Sequence, residues 1–392
     1  MLSLYDKNQI YEEGTQNFSV EKLAAQLPVM VFTGDIPTLE ATTNKNETIY
    51  VDIEYYNYQD TARSFKSTGT RMRPQGTSSM SYPKKNFRIY TNYGKLYDST
   101  GALVSPGVYQ FKDKAQPVST FCLKADYAES SSTHNTSIAR LWNQVMYNTQ
   151  LSNSYVLRTE AQKAALSSSY AYDVRTTIDG FPIVCFYRPT ADADLVFMGK
   201  YNFNNDKSTE SVFGFKNIPG FGNSKMQCWE VLNNGHHLCN FKDVLNFDTE
   251  WSDAYDSRYP DGGTNTQYLK DVSTWIASTR YSSDVTFSGN INVASELKSD
   301  TDTQYGSTST YAANGSYTDS AANRALKFTK EKWDYLDVYK MAAYYVYFMR
   351  FGAVDQVVKN VMFTTEGTQG VGTHCKWFII NYDNDTINGH IS

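Results

Sequence analysis

Three stretches early in the chain alternate apolar and polar side chains with a period of two: ETIYVDIEYYN, RSFKSTGTRMRP and KKNFRIYTN. Because successive side chains of an extended strand point to opposite faces, this period predicts strands with one buried face and one face in water. The segments GFPIVCFYR and ADLVFMGKYNFNND predict a further pair of strands. The first half of the chain is therefore predicted to be a β-rich lobe.

Near its end the chain changes to helical spacing. The segment EKWDYLDVYKMAAYYVYFMRFG predicts one long helix whose second half is apolar almost all round and therefore buried, and the predicted strands NVMFTT and KWFIINYD follow it. We predict an α+β fold. Its parts are an arm (1–27), a β-rich N-lobe with one helix (28–203), a loop-rich linking region (204–330) and the core of a helical lobe (331–392), which we expect to be incomplete.

The charge of the chain bears on its partners. The net charge is −5, the sequence pI is about 5.6, and no block of lysines and arginines occurs. We expect no direct nucleic-acid binding, because proteins that hold nucleic acid neutralise phosphates with clustered cations. The N-terminus lacks the pattern of a signal peptide, and no apolar run reaches the ~18 residues of a membrane helix, so we expect no membrane contact.

The five cysteines are widely spaced and form no Cys-x-x-Cys pair. This odd count and this spacing indicate thiols that act as small apolar core side chains, rather than a disulfide framework. A zinc site is the alternative, although its spacing does not match the usual ligand patterns. Its residues would be Cys228, His236, His237 and Cys239.

Four polar side chains stand close together in apolar sequence near the end of the chain. Asn360 follows Asp355 by five positions, and an Asp-x-Asp pair, Asp383 and Asp385, ends the next predicted strand. Two carboxylates on one side of an extended chain repel each other and favour a cation between them. We predict a Mg²⁺ site made by Asn360, Asp383 and Asp385. Asp355 would accept a proton from an attacking hydroxyl; a solvated loop of turn residues is the alternative.

The segment RPQGTSSMSYPKKNFRIY combines small residues with a pair of lysines that opens a predicted strand. Gly76 allows a ligand to approach the backbone, and Thr77 and Ser78 add hydrogen-bond donors. Lys84 and Lys85 point to opposite faces of the strand, so one of them can reach the phosphates of a nucleotide. The spacing is not that of a P-loop. A surface turn with a solvated lysine pair is the alternative.

Four ordered blocks resemble the CotH kinase-like family, named for a bacterial spore coat protein. The first three are PQGTSSMSYPKKNFRIY, LKADYAESSSTHNT and GKYNFNNDKSTESVFGF. The fourth is the ordered set of Asp355, Asn360, Asp383, Asp385 and Gly389. Gln75 and Thr77 depart from the residues that are usual in the family. The resemblance covers approximately residues 70–392.

The resemblance implies an atypical protein-kinase-like bilobal fold, with a β-rich N-lobe and a helical C-lobe, that uses ATP and Mg²⁺ to phosphorylate proteins. Asp355 would be the catalytic-loop aspartate, and Asn360 with Asp383 would hold the metal. Either Lys84 or Lys85 would approach the phosphates. The residues that cover or flank the nucleotide would be Gly76, Thr77, Ser78 and Lys124.

Family members with the LKADY and HNT block are often carried by structural proteins of tailed phages. The resemblance therefore implies a second function, a catalytically silent scaffold in a phage capsid or tail, whose partners are neighbouring virion proteins rather than a protein substrate. The expected location is the virion, or the host cytoplasm during assembly, and formation of a homo-oligomer is left open. Carbohydrate binding by exposed tryptophan and tyrosine is a third alternative, since the chain holds 31 tyrosines.

Overall fold

The computed structural model describes residues 27–113, 115–127, 134–149, 176–207, 213, 226–232, 247–260, 262–279, 291–292, 316–317, 321–353, 356, 360–369 and 374–384. The chain divides into two compact units. Unit 1 comprises Met1–Arg140, Ile178–Thr209 and His390–Ser392, and unit 2 comprises Leu141–Thr177 and Glu210–Gly389.

Unit 1 contains nine strands among its described residues, and it contains one whole α-helix and the first part of another. The strands are β1 Val29–Thr33, β2 Ile49–Tyr56, β3 Phe65–Gln75, β4 Asn86–Tyr90, β5 Lys95–Tyr97, β6 Leu103–Val104, β7 Thr120–Lys124, β8 Gly180–Arg188 and β9 Val196–Asn205. The helices are α1 Ile36–Ala41 and α2 His134–Asn148, and the boundary between the units falls inside α2.

Seven of these strands close into a barrel. Strand β1 pairs with β2 in antiparallel and with β8 in parallel orientation. The ring continues through the antiparallel pairs β8–β9, β9–β7, β7–β4, β4–β3 and β3–β2. Strands β5 and β6 extend from β3 as a hairpin outside the ring. The predicted alternation in β2 and β3 is confirmed, since every second side chain of β2 from Val51 onward is buried.

Aromatic rings fill the interior of the barrel. The rings of Tyr55 and Phe65 stack with centroids 5.1 Å apart, and those of Phe121 and Phe203 lie 4.9 Å apart. The Tyr55 and Phe203 rings are 5.7 Å apart, which joins the two pairs. All four side chains are at most 2% exposed. Because rings of this size bury a large apolar area, they supply much of the stability of unit 1.

Unit 2 combines a sheet with four helices among its described residues. Its strands are β10 Met226–Val231, β11 Tyr255–Tyr259, β14 Val361–Gln369 and β15 Cys375–Ile380, with a separate two-residue pair β12 Ile291–Asn292 and β13 Ser316–Tyr317. Its helices are α3 Phe247–Ala254, α4 Gln267–Thr279, α5 Ala321–Tyr335 and α6 Val338–Phe351. The four-stranded sheet has the order β11-β10-β14-β15 and is antiparallel throughout.

The core of unit 2 lies between this sheet and the helices. Trp229, Phe363 and Trp377 are buried on three neighbouring strands, and the rings of Phe363 and Trp377 stack 4.8 Å apart. Leu269 and Val272 of α4 belong to the same cluster. The sheet therefore forms one layer of the core and the helices form another.

The predicted kinase-like bilobal fold with a helical C-lobe is wrong. Unit 1 is a closed mixed barrel rather than an open kinase N-lobe, and unit 2 is built on an antiparallel sheet. Two features of the sequence explain the error. The β1–β8 pairing joins distant segments, which local periodicity does not reveal. Strand β10 is buried at all six positions, so it lacks the alternation by which strands were recognised.

The long helix predicted near the end of the chain is in fact two helices, α5 and α6. Asp337 is the N-cap residue directly before α6, and its side chain accepts a hydrogen bond from the Lys340 N–H at 3.2 Å. The prediction that the second half is buried on all sides is also wrong. Tyr345, Val346 and Met349 are each at least 60% exposed.

The four described cysteines are buried free thiols, as predicted from their number and spacing. Cys122, Cys185, Cys228 and Cys375 are buried thiols. Burial raises the pKa of Cys122 to about 12, which keeps this thiol protonated at neutral pH. The other residues of the alternative zinc site, His236, His237 and Cys239, lie outside the described residues.

Among the described helices, none combines the length and apolar character needed to cross a membrane.

His374, the residue directly before β15, contacts helices α4 and α5 of unit 2 through its side chain. Its Nδ1 lies 2.7 Å from Asp271 Oδ2 on α4, and its Nε2 lies 2.9 Å from the Tyr335 hydroxyl on α5. The hydrogen bond with Asp271 raises the pKa of His374 above its ordinary 6.5, partial burial opposes this, and the charges of Asp334 and Glu331 add to the rise. The protonated ring is therefore favoured in the folded state.

This arrangement predicts a pH-dependent stability of unit 2. A group whose pKa is raised on folding stabilises the protein fully below the pKa of the unfolded chain, about 6.5, and this contribution is lost as pH rises through the higher folded value. We expect His374→Gln to lower the thermal midpoint at about pH 6 and to leave it nearly unchanged at about pH 9. Thermal denaturation across this range measures the effect, with His134→Gln as control. An equal decrease of the thermal midpoint at about pH 6 and at about pH 9 would contradict this prediction.

Candidate functional site

The chain turns sharply where β3 ends, and the predicted glycine lies in this turn. Gly76 has a φ of +112°, and a Cβ added there would lie 2.0 Å from Ser79 Oγ. Glycine alone satisfies this positive φ and this close approach. Asn86 Nδ2 donates to Ser79 Oγ at 3.3 Å, which ties the turn to the first residue of β4.

The two predicted lysines stand beside this turn, and both contact main-chain oxygens. Lys84 Nζ donates to the oxygen of Lys200 and lies 4.4 Å from the centre of the Tyr201 ring. Lys85 is 7% exposed, and its Nζ donates to the oxygen of Met80 at 2.5 Å. An ammonium group has three N–H donors. These hydrogen bonds hold both charges in fixed positions.

A third lysine and a carboxylate lie where β7 ends. Lys124, 8% exposed, pairs with Asn202 of β9. Asp126, 6% exposed, has a φ of +46°, which is uncommon for a residue other than glycine. Its carboxylate accepts a hydrogen bond from Asn202 Nδ2. The Ala125 N–H donates to Asn86 Oδ1 at 2.7 Å, so this segment is fixed to β4.

We call this cluster the rim site, because it lies where β3, β4 and β7 begin or end. Its members are Gly76, Lys84, Lys85, Lys124, Asp126 and Asn202. Burial lowers the pKa of Lys84, and the charge of Lys200 lowers it further, whereas Cys185 and Asp126 oppose this shift. The cluster holds three lysines and one carboxylate in a protein of net charge −5, and Asp126 interacts with Lys84. Such a site suits an anion with several oxygen atoms.

A second polar group lies at one end of the sheet in unit 2. Asn360 immediately precedes β14, and Asp383 follows β15, and both have positive φ, +55° and +56°. Because β14 and β15 are antiparallel, the start of β14 and the end of β15 lie at the same end of the sheet. Gln356 Nε2 donates to the main-chain oxygen of Asp383 at 2.5 Å, and the main-chain oxygen of Gln356 accepts from the Tyr344 hydroxyl at 2.9 Å.

Two of the three predicted Mg²⁺ ligands belong to this second group. Asn360 supplies an amide oxygen and Asp383 a carboxylate, and Mg²⁺ binds both types. No group of three or more His, Cys, Asp and Glu side chains arranged to hold a metal ion occurs in the part of the chain that the structure describes. Asp355 and Asp385 lie outside the described residues, as does Gly389. The four-residue site therefore stays a prediction.

Of the remaining predicted residues, Gly76, Lys84, Lys85 and Lys124 lie on segments of the rim site that the hydrogen bonds of Asn86 join. Thr77 is exposed in the same turn. Ser78 begins the short 3₁₀ segment Ser78–Ser81, but its side chain lies outside what the structure describes. The first block thus lies in unit 1, as do the described residues of the second block and residues 199–207 of the third.

Sequence reasoning missed Asp126 and Asn202, although both lie inside blocks that it singled out. Asp126 belongs to LKADY and Asn202 to GKYN. A polar residue directly after an apolar strand was the available signal for Asp126. No such signal existed for Asn202, because it lies within a strand and its partner comes from a distant segment.

Comparison with protein-family models and with curated protein sequences gives no match for this chain.

Proposed function

We propose that the rim site binds the phosphates of ATP and that the chain transfers a phosphoryl group to hydroxyls of a protein substrate. The observation that supports this most is that Asn86 joins the glycine turn to the end of β7, so that Lys84, Lys85 and Lys124, all buried or half-buried, lie on joined segments. Charge-assisted hydrogen bonds from ammonium groups to phosphate are stronger than neutral ones. The architecture that carries the site differs from that of a protein kinase.

In this proposal the chain's own residues have separate tasks. Gly76 and Thr77 allow the turn to approach the phosphates, and the lysines bind them. In unit 2, Asn360, Asp383 and Asp385 would hold Mg²⁺, a cation that neutralises phosphate charge. The predicted role of Asp355 is to accept the proton of an attacking hydroxyl, whose oxygen would bond to the γ-phosphorus while the bond to ADP breaks. These roles of unit 2 are tested apart from phosphate binding at the rim site.

Titration of the full chain with Mg–ATP by calorimetry tests the binding step. We expect a dissociation constant between micromolar and millimolar, and much weaker binding of adenosine, which lacks phosphates. Lys84→Met should weaken ATP binding by about tenfold or more, since a hydrogen bond to a charged group contributes about 1.5–3 kcal/mol. Lys95→Met, at an exposed lysine of β5, is the matched control.

Transfer is tested separately, by mass spectrometry of a protein mixture incubated with the chain and Mg–ATP. Asp383→Ala, which removes a predicted Mg²⁺ ligand, should remove phosphorylation, and an unchanged thermal midpoint is the check on folding. If the wild-type chain binds no nucleotide at millimolar concentration, the enzymatic function fails.

A catalytically silent scaffold is the second candidate function. It is favoured by the hydrogen bonds of Lys84 and Lys85 to main-chain oxygens, since lysines that fix a turn need no ligand. The resemblance to proteins carried by tailed phages supports a place in the virion, with neighbouring virion proteins as partners. Co-purification with phage particles, together with absence of nucleotide binding, is the result expected for this candidate.

A further inference from the structure

Aromatic and basic side chains form a row across the outer face of the barrel. Tyr50 of β2 pairs with Arg71 of β3, which pairs in turn with Tyr90 of β4. Directly opposed residues lie on the same face of a sheet. Arg73 lies two positions after Arg71 on the same face, and Tyr93 stands in the turn that follows β4. We call these five residues the Tyr–Arg platform.

The platform is ordered before any ligand binds. The guanidinium carbon of Arg71 lies 5.2 Å from the centre of the Tyr90 ring and 4.9 Å from that of Tyr93, and Nη1 donates to the Tyr93 hydroxyl at 2.9 Å. Arg73 lies 5.5 Å from the Tyr90 ring. Tyr50 and Tyr93 are 61% and 53% exposed. A ligand would therefore meet arginines already held against Tyr90 and Tyr93, which lowers the entropy cost of binding.

The charge of the platform is not neutralised by its surroundings. Arg71 and Arg73 form no ion pair with any residue that the structure describes, whereas Arg88, the cross-strand partner of Arg73, lies 2.7 Å from Asp206. The Asp52 carboxylate, on the same strand as Tyr50, accepts a hydrogen bond from the Gly69 N–H. Two like charges on one face repel each other, so an anionic ligand relieves this repulsion.

We propose that the Tyr–Arg platform binds an anionic polysaccharide, with Tyr50 and Tyr93 against sugar rings and Arg71 and Arg73 on carboxylates. The planar guanidinium matches a carboxylate through two parallel N–H bonds. An exposed tyrosine offers a flat apolar face and a hydroxyl, which suit the apolar face and the hydroxyls of a sugar.

The overall charge favours this ligand over single-stranded nucleic acid, although tyrosine and arginine also stack on bases. A protein of net charge −5 repels polyanions, and the repulsion grows with their charge density. Nucleic acid carries one charge per nucleotide. A polysaccharide in which neutral sugars alternate with uronic acids carries half as many charges per unit and is repelled less.

The test is fluorescence anisotropy of a labelled hyaluronan oligosaccharide, in which uronic acids alternate with neutral sugars, titrated with the full chain. Unlabelled dextran oligosaccharide and oligothymidylate serve as competitors. We expect hyaluronan binding that weakens with salt, competition by neither dextran nor oligothymidylate, and a loss of about fivefold or more in Tyr50→Ala and in Arg73→Ala. Lys45→Ala, at an exposed lysine of unit 1, should bind as the wild type does.

Arg71→Lys keeps the charge but loses the planar contact with both rings, so it should also weaken binding. Tyr50→Ala removes an exposed side chain and should fold normally, which keeps the test informative if an Arg71 variant does not fold. Absence of hyaluronan binding, equal binding by Lys45→Ala and Tyr50→Ala, or tighter binding of oligothymidylate would overturn the proposal. None of these outcomes depends on nucleotide binding at the rim site.

Discussion

Replacement of Phe203 by alanine is expected to lower the free energy of unfolding of unit 1 by about 3–5 kcal/mol. The side chain is fully buried on β9, and its ring lies 4.9 Å from that of Phe121 and 5.7 Å from that of Tyr55. Truncation removes apolar area from the core and leaves a cavity that the rigid strands of a closed barrel cannot fill. Denaturant titration should show this as a lower midpoint.

The matched control is Phe197→Ala on the same strand. Phe197 is 66% exposed and contacts Phe186 with ring centres 5.4 Å apart, so its truncation should cost less than about 1 kcal/mol. Similar losses in the two variants would show that the interior of the barrel is not packed as described.

Replacement of Lys340 by methionine is expected to destabilise unit 2 by about 3–5 kcal/mol, although methionine has a similar volume and is apolar. Lys340 is 1% exposed on α6, and its Nζ lies 3.6 Å from Asp337 Oδ2 and 3.9 Å from Glu366 Oε1. The same ammonium lies 3.8 Å from the centre of the Phe378 ring. Its removal takes a nearby cation away from two buried carboxylates, and this penalty exceeds any gain from an apolar side chain.

Two further variants separate this effect from general damage to α6. Arg350→Met, at an exposed arginine in the last turn of the same helix, should cost less than about 0.5 kcal/mol. In the double variant Lys340→Met, Glu366→Gln, removal of one carboxylate charge should recover part of the loss. Chemical denaturation of all variants measures these differences, and a neutral effect of Lys340→Met alone would refute the prediction.

The sequence predicted those parts of the fold that depend on neighbouring residues. Strands β2, β3 and β4 were recognised because one face of each is buried, which produces alternation. The parallel pairing of β1 with β8 could not be recognised, because the apolar run VMVFT of β1 does not specify its partner. The break between α5 and α6 was missed because Asp337 was taken as a helical residue rather than as an N-cap.

The residues of the rim site were likewise predicted only where neighbouring residues revealed them. Gly76, Lys84 and Lys85 were found because they stand within one short segment with recognisable chemistry. Asp126 joins them through Asn202, and this contact exists only after β7 and β9 have paired. The order of residues in a sequence carries little information about such contacts.

Closure of the barrel has a consequence for the synthesis of this protein. Val29 pairs with Val184, so the ring stays open until most of the first half of the chain has left the ribosome. At translation rates of about 5–20 residues per second, this wait lasts roughly 8–30 s. Meanwhile the apolar segment VMVFT has no β8 beside it, and an uncovered strand edge can pair with other nascent chains. Production of the protein should therefore depend on chaperones that shield this segment early.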